Sequence, residues 1–142
     1  MKAARVHGYG DIDTIKYDEV PKPSAGPGQI LVKIEASSLN PVESYVRQGF
    51  LAQMIPLTFP FVLGLDLAGR VEAVGPGITE LQEGDRVIGK LPINGNGSNQ
   101  EYVVAIPHKG RGDLLDQSNN SQTTRNFRLS ASVSDLCGII SL

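Results

Sequence analysis

Gly26-Pro27-Gly28-Gln29-Ile30-Leu31-Val32-Lys33-Ile34-Glu35-Ala36, continuing as Ser37-Ser38-Leu39-Asn40-Pro41-Val42-Glu43, is the stretch on which the fold turns. It opens with a proline between two glycines, a combination that breaks regular pairing because proline fixes φ and lacks an N–H. From Ile30 to Ala36 every even position is apolar, the two-residue period of a strand with one buried face. A helix start follows. Asn40 is a favoured N-cap, Pro41 suits the first helical position, and Glu43 stands where a capping box places its acid. Gly49 is well placed as a left-handed terminator. The spacing therefore predicts a helix over residues 41–48, too short to persist without packing, with Val42 and Val46 as its buried stripe.

Moving outward, residues 2–7 form a plausible opening strand closed by the turn signal Gly8-Tyr9-Gly10. Pro21, Pro23, Gly26, Pro27 and Gly28 make a rigid loop. Downstream, Leu67, Gly69, Val71 and Ala73 alternate with Ala68, Arg70, Glu72 and Val74 in a second clear strand, ended by Gly75-Pro76-Gly77. Residues 85–89 and 101–106 are shorter strand candidates separated by the Gly- and Asn-rich loop 94–99. Several short strands with regular turns predict a mainly β domain, a barrel or sandwich, over residues 1–107. All nine prolines lie at or before Pro107. Residues 108–142 read as an atypical tail. Their polar run from Asp116 to Thr124 predicts irregular or disordered chain, and Leu129, Val133, Leu136 and Ile140 are spaced for a short amphipathic helix.

Composition narrows the function classes. The 142 residues carry 13 Lys and Arg against 15 Asp and Glu, a net charge of −2. No basic excess points to nucleic acid as a main partner. The single cysteine, Cys137, forms neither an internal disulfide nor a multi-cysteine zinc cage. No apolar run approaches the length of a membrane span, and the opening residues lack the plan of a signal peptide. A cytoplasmic chain without nucleic-acid or membrane partners is the expectation. Gly75-Pro76-Gly77 follows a strand, but Glu80 occupies the place of the third glycine of a dinucleotide fingerprint, so a turn is the better reading. Arg111-Gly112-Asp113 and the sequons at Asn96 and Asn119 are read as coincidences, and His7 and His108 have no visible catalytic company.

Five segments in register resemble the medium-chain dehydrogenase/reductase superfamily: 26–33, 40–43, Gly64-Leu65-Asp66-Leu67-Ala68-Gly69-Arg70-Val71 with Val74-Gly75, Gly84-Asp85-Arg86-Val87, and Glu101-Tyr102-Val103-Val104. The resemblance implies a GroES-like, partly open β-barrel over residues 1–107, with one or two short helices. Zinc-dependent members keep a cysteine just before the short helix and a histidine after the glycine corresponding to Gly64. Here Ala36-Ser37-Ser38-Leu39-Asn40 holds no cysteine and Leu65 replaces the histidine, so the donors zinc requires are missing. The chain is similar to the zinc-free quinone oxidoreductase branch, the zeta-crystallin-like group, whose members use NADPH to reduce quinones, enones or related activated carbonyls. The likeness stops near residue 107, before the Rossmann domain that would hold the cofactor pyrophosphate.

The resemblance implies that Asn40 and Tyr45 face the acceptor, and that Asn40, Leu65 and Asp66 lie against the cofactor. An Asn amide can donate to a carbonyl oxygen that gathers charge; its other reading is a plain N-cap. Tyr45 could stack on a flat substrate, or lock the helix to the barrel as a partly buried ring. Asp66 reads as a structural acid paired with a cation or backbone N–H groups, and Asp85 as a turn residue. The first expectation is thus the substrate-side domain of an NADPH-dependent quinone or enone oxidoreductase, inactive alone for want of the cofactor domain, and a possible homo-oligomer. The alternative is a non-enzymatic GroES-like interaction module, or the product of a truncated or frameshifted gene.

Overall fold

The computed structural model describes residues 1–107 and, as backbone, two further strand segments, Leu115–Asp116 and Gly138–Ser141. The strands are β1 (Lys2–Val6), β2 (Ile15–Glu19), β3 (Ile30–Leu39), β4 (Phe61–Val62), β5 (Asp66–Val74), β6 (Arg86–Lys90), β7 (Tyr102–Ala105), β8 (Leu115–Asp116) and β9 (Gly138–Ser141). Among the described residues one α-helix, α1, runs Pro41–Gln48. Two antiparallel sheets result. The smaller has the order β2-β1-β4, and the larger β7-β3-β5-β6-β8, with β9 also on β3. The sheets do not close into a barrel, which agrees with the partly open, mainly β architecture read from the sequence.

β3 organises the larger sheet. One edge pairs with β5 along its length; the other takes β7 opposite residues 30–33 and β9 opposite residues 36–39. Ile30, Val32 and Ile34 point into the main core with Leu67, Val71, Val87, Leu91 and Val103. The even alternation stops at Ile34. Ile34 pairs with Gly69 and Ala36 with Ala68, leaving Glu35 as an extra residue, a bulge that reverses the phase of the strand. Ser37 is therefore buried in place of Ala36.

The second core joins α1 to the smaller sheet. Val46 packs with Val6 and Leu63, backed by Val42, Leu51, Ile55 and Leu57. The expected stripe of Val42 and Val46 is real but incomplete, because Glu43 and Arg47 are buried beside them. Arg47 donates to the carbonyl of Gly10 at 2.6 Å, which ties α1 to the turn after β1.

Four strands, β2, β4, β8 and β9, are not announced by the sequence. β2 exposes Tyr17 and carries little apolar surface; its partner β1 holds it in place. β4 is two residues long. β9 contains Ile140, which the spacing puts at the end of a helix; Gly138 and two β-branched isoleucines favour extended chain instead. The rest of the expected helix, Cys137, His108 and the tripeptide at 111–113 lie outside the described residues.

Candidate functional site

The bulge in β3 sets the site. Past Glu35 the strand presents Ser37 inward, where its hydroxyl meets Ser98 Oγ and Asn99 Oδ1, each at 2.9 Å. Ser38 then lies beside the start of β5 and donates to Asp66 Oδ2 at 2.7 Å. Two residues later the chain turns into α1. Gly64, with φ of +115°, turns the backbone into β5, and its carbonyl accepts from Ser98 N–H at 3.1 Å.

Asn40 occupies the N-cap position but makes no side-chain cap. Its Nδ2 instead donates toward Ser38 Oγ (3.1 Å), Glu43 Oε1 (3.0 Å) and Asp66 Oδ2 (2.9 Å). This corrects the capping reading. Two nearby carboxylates compete for the amide protons more strongly than backbone N–H groups compete for its oxygen. The orientation follows from the inventory of donors and acceptors. The Ser38 proton is committed to Asp66, so every atom facing Asn40 is an acceptor and only the NH2 end fits there. Asn40 Oδ1 accepts no hydrogen bond among the described residues, and it is not buried without a partner.

Glu43 is the residue the sequence undervalued. It is 4% exposed, and its Oε1 also accepts the backbone N–H of Leu65 at 3.2 Å. Its Oε2 is buried with no hydrogen-bond partner among the described residues. Burial pushes the Glu43 carboxyl above the usual carboxylate range, aided by the negative charge of Asp66 and opposed by the hydrogen bonds of Asn40 and Leu65. The only hint in the sequence was its place three residues after Asn40, which says nothing about depth.

The other expected site residues fall as follows. Asp66 is half-buried and, among the described residues, is held by a hydroxyl and an amide rather than by the cation or backbone N–H groups anticipated. Leu65 is buried and joins the network through its main chain alone. Tyr45 is 54% exposed, so it does not lock the helix to the barrel. Its ring lies 6.1 Å from that of Phe50 on the outer side of α1. Asp85 accepts the N–H of Gln82 at 2.8 Å, as a turn residue does. His7 does have a partner, Asp18 at 2.8 Å, which also pairs with Arg5. A cavity of about 600 Å³ meets this region at Ser37 and Asn99 and is otherwise lined by residues such as Ile12, Ile15, Tyr17 and Leu39, without Asn40, Tyr45, Leu65 or Asp66. Among the described residues no group of three His, Cys, Asp or Glu side chains is placed to hold a metal ion, and no helix is long and apolar enough to cross a membrane.

The profile of the alcohol dehydrogenase GroES-like domain matches residues 26–111. The chain belongs to that family. Within it, the GroES-like domain is quinone oxidoreductase-like. It is 38% identical over 106 residues to the chloroplastic quinone-oxidoreductase QR1 of Triphysaria versicolor, covering 74% of this chain and 32% of that one. It is 36% identical over 109 residues to the quinone oxidoreductase of Homo sapiens, covering 76% and 32%. Among solved structures, the quinone oxidoreductase from Coxiella burnetii superposes with a TM-score of 0.73 at 29% identity, covering 82% of this chain and 36% of that one. The chain thus spans about a third of the length of the curated relatives it matches, at their N-terminal end. Relatives are named as chloroplastic and as mitochondrial proteins, so family membership lends no support to a cytoplasmic location.

Proposed function

We propose that this GroES-like domain forms the substrate-side wall of an NADPH-dependent reductase acting on quinones, enones or similar activated carbonyl compounds. Asn40, Tyr45, Leu65 and Asp66 line the wall. The observation that carries this is the Asn40–Glu43–Asp66 network at the start of α1 and β5, set in a chain that aligns with the N-terminal third of quinone oxidoreductases.

The described residues suit one end of the cofactor only. Buried Leu65 and the uncharged amide of Asn40 fit the neutral nicotinamide end of NADPH. A phosphate cradle needs free backbone N–H groups at a helix N-terminus or nest. The Gly75-Pro76-Gly77 turn opens no helix, and its Gly75 N–H is spent on Gln29 O at 2.8 Å. NADPH held by a second, dinucleotide-binding domain would supply the hydride. This chain's residues supply the surface on which the acceptor is oriented. Tyr45 offers an exposed ring on which a flat acceptor stacks. Asn40 places an uncharged amide edge beside it, and buried Leu65 backs the wall with apolar surface. Half of a cleft is an open face, which is why these residues do not line the large cavity.

Steady-state NADPH oxidation with a soluble quinone tests the reading on two proteins. The 142-residue chain alone should show no saturable turnover. The same chain joined to the C-terminal two thirds of the Triphysaria relative should turn over, and Tyr45→Ala should raise KM by about fivefold, the loss of roughly 1 kcal/mol of ring contact. Turnover by the chain alone, or a fusion that folds and stays inactive, overturns it.

A further inference from the structure

Resting on that reading of the site, we propose that Glu43 is a positioning residue that turns the Asn40 amide inward, so that the wall presents the Asn40 carbonyl oxygen and takes a ligand through one of the ligand's own N–H or O–H groups. The sequence alone suggests the opposite polarity, an amide donating to a carbonyl.

Three observations carry the inference. The first is the closed set of acceptors. Ser38, Glu43 and Asp66 surround Nδ2 at 2.9–3.1 Å, and two amide protons are spent on three oxygens, so none remains for a ligand. The second is that the remaining polar atom of Asn40, Oδ1, accepts nothing among the described residues and is not sealed in the interior. A carbonyl oxygen whose amide is locked from behind is a fixed acceptor, and fixed acceptors select donors. The third is the placement of Glu43. Its carboxylate is buried, and Oε1 holds both the Asn40 amide and the Leu65 N–H. It thereby ties the start of α1 to the start of β5.

No cation offsets Glu43 among the described residues. Arg47, one turn along α1, is spent on Gly10 and Asp11. Asp66 on β5 is the other charged group facing the network. The side chain is therefore held by its two donors and by packing, and its Oε2 is left unmatched. Retaining an unmatched buried oxygen is costly, and it serves the orientation of Asn40.

The experiment uses the full chain, labelled with 15N, as wild type, Glu43→Gln and Glu43→Asp. The Asn40 side-chain N–H pair should be protected from exchange in the wild type and should titrate with a midpoint above 4.5, the ordinary glutamate value. In Glu43→Gln that titration should vanish and protection should fall about tenfold, while the backbone amides of Val46 and Arg47 keep theirs. Glu43→Asp, which keeps the charge, should restore part of both. An Asn40 amide unchanged in Glu43→Gln overturns the positioning role. Loss of α1 protection in both variants overturns it too, since Glu43 would then only hold the helix. Hydroquinone and 1,4-dimethoxybenzene, the same ring with and without donors, complete the test. Hydroquinone should shift the Asn40 resonances at concentrations at least fivefold lower than the ether. Equal effects with Asn40 still locked overturn the acceptor role. If neither ring touches Asn40 while Glu43 still controls its amide, the ligand reading of this wall falls and the orienting role stands.

Discussion

At the scale of the residue, Glu43 and Gly64 decide how the site is held. The Glu43 carboxyl lies above its ordinary value of 4.5 chiefly because it is buried, so the folded chain keeps that proton to higher pH than the unfolded chain does. The corresponding stabilisation is complete below about 4.5 and is lost as pH rises through the folded-state value. Glu43→Gln is uncharged throughout. Its stability relative to wild type should therefore climb with pH across that window in urea midpoints measured at successive pH values; a constant gap would show the carboxyl titrating alike in both states. Gly64 poses a steric demand. Its φ of +115° is one that other residues rarely adopt, and a Cβ there would overlap Ser98 Oγ and the Ser98 and Asn99 nitrogens. Gly64→Ala should cost about 2–4 kcal/mol by urea denaturation, from backbone strain plus overpacking. The sequence marked Gly64 only through its family position, because the loop it meets lies more than thirty residues away.

At the scale of the element, α1 shows how far local signals reach. Asn40, Pro41 and Gly49 set its limits, and the structure gives Pro41–Gln48 with Gly49 at φ +85°. Eight residues cannot hold a helix in water by themselves, so α1 depends on Val46, which is 1% exposed against Val6 and Leu63. Val46→Ala should destabilise the chain by about 1–2.5 kcal/mol, the transfer and cavity terms for two lost methyl groups, again by urea midpoint. An effect below about 0.5 kcal/mol would show that the helix is held by Arg47 and the turn at Gly10 instead. β3 shows the limit of local signals. The alternation of Ile30, Val32 and Ile34 was legible, but the bulge at Glu35 arises from register with β5, and register belongs to the pair of strands, not to either one.

At the scale of the whole molecule, the described chain leaves one aromatic face open. Tyr45 and Phe50 are 54% and 70% exposed with rings 6.1 Å apart, and Met54 is 80% exposed. Exposed apolar clusters of this kind mark surfaces that associate. Sedimentation velocity should show weight-average mass rising with concentration for the 142-residue chain, and Phe50→Ser with Met54→Ser should flatten that rise. A monomer at every concentration in the parent chain would show that this face is covered or too small to act.

What the sequence determined by itself was the class of fold, the long strands β3 and β5, the helix α1 and the family resemblance. Each rests on spacing within a short segment, and spacing of 2.0 or 3.6 residues is visible without a partner. What only the tertiary structure decided was the chemistry of the site. Asn40, Glu43 and Asp66 come from the head of a helix and the start of a strand more than twenty residues away, and the burial of Glu43 depends on both. Whether an amide caps a helix or turns to a carboxylate is settled by which acceptors surround it. That is a property of three-dimensional proximity, which no local pattern encodes.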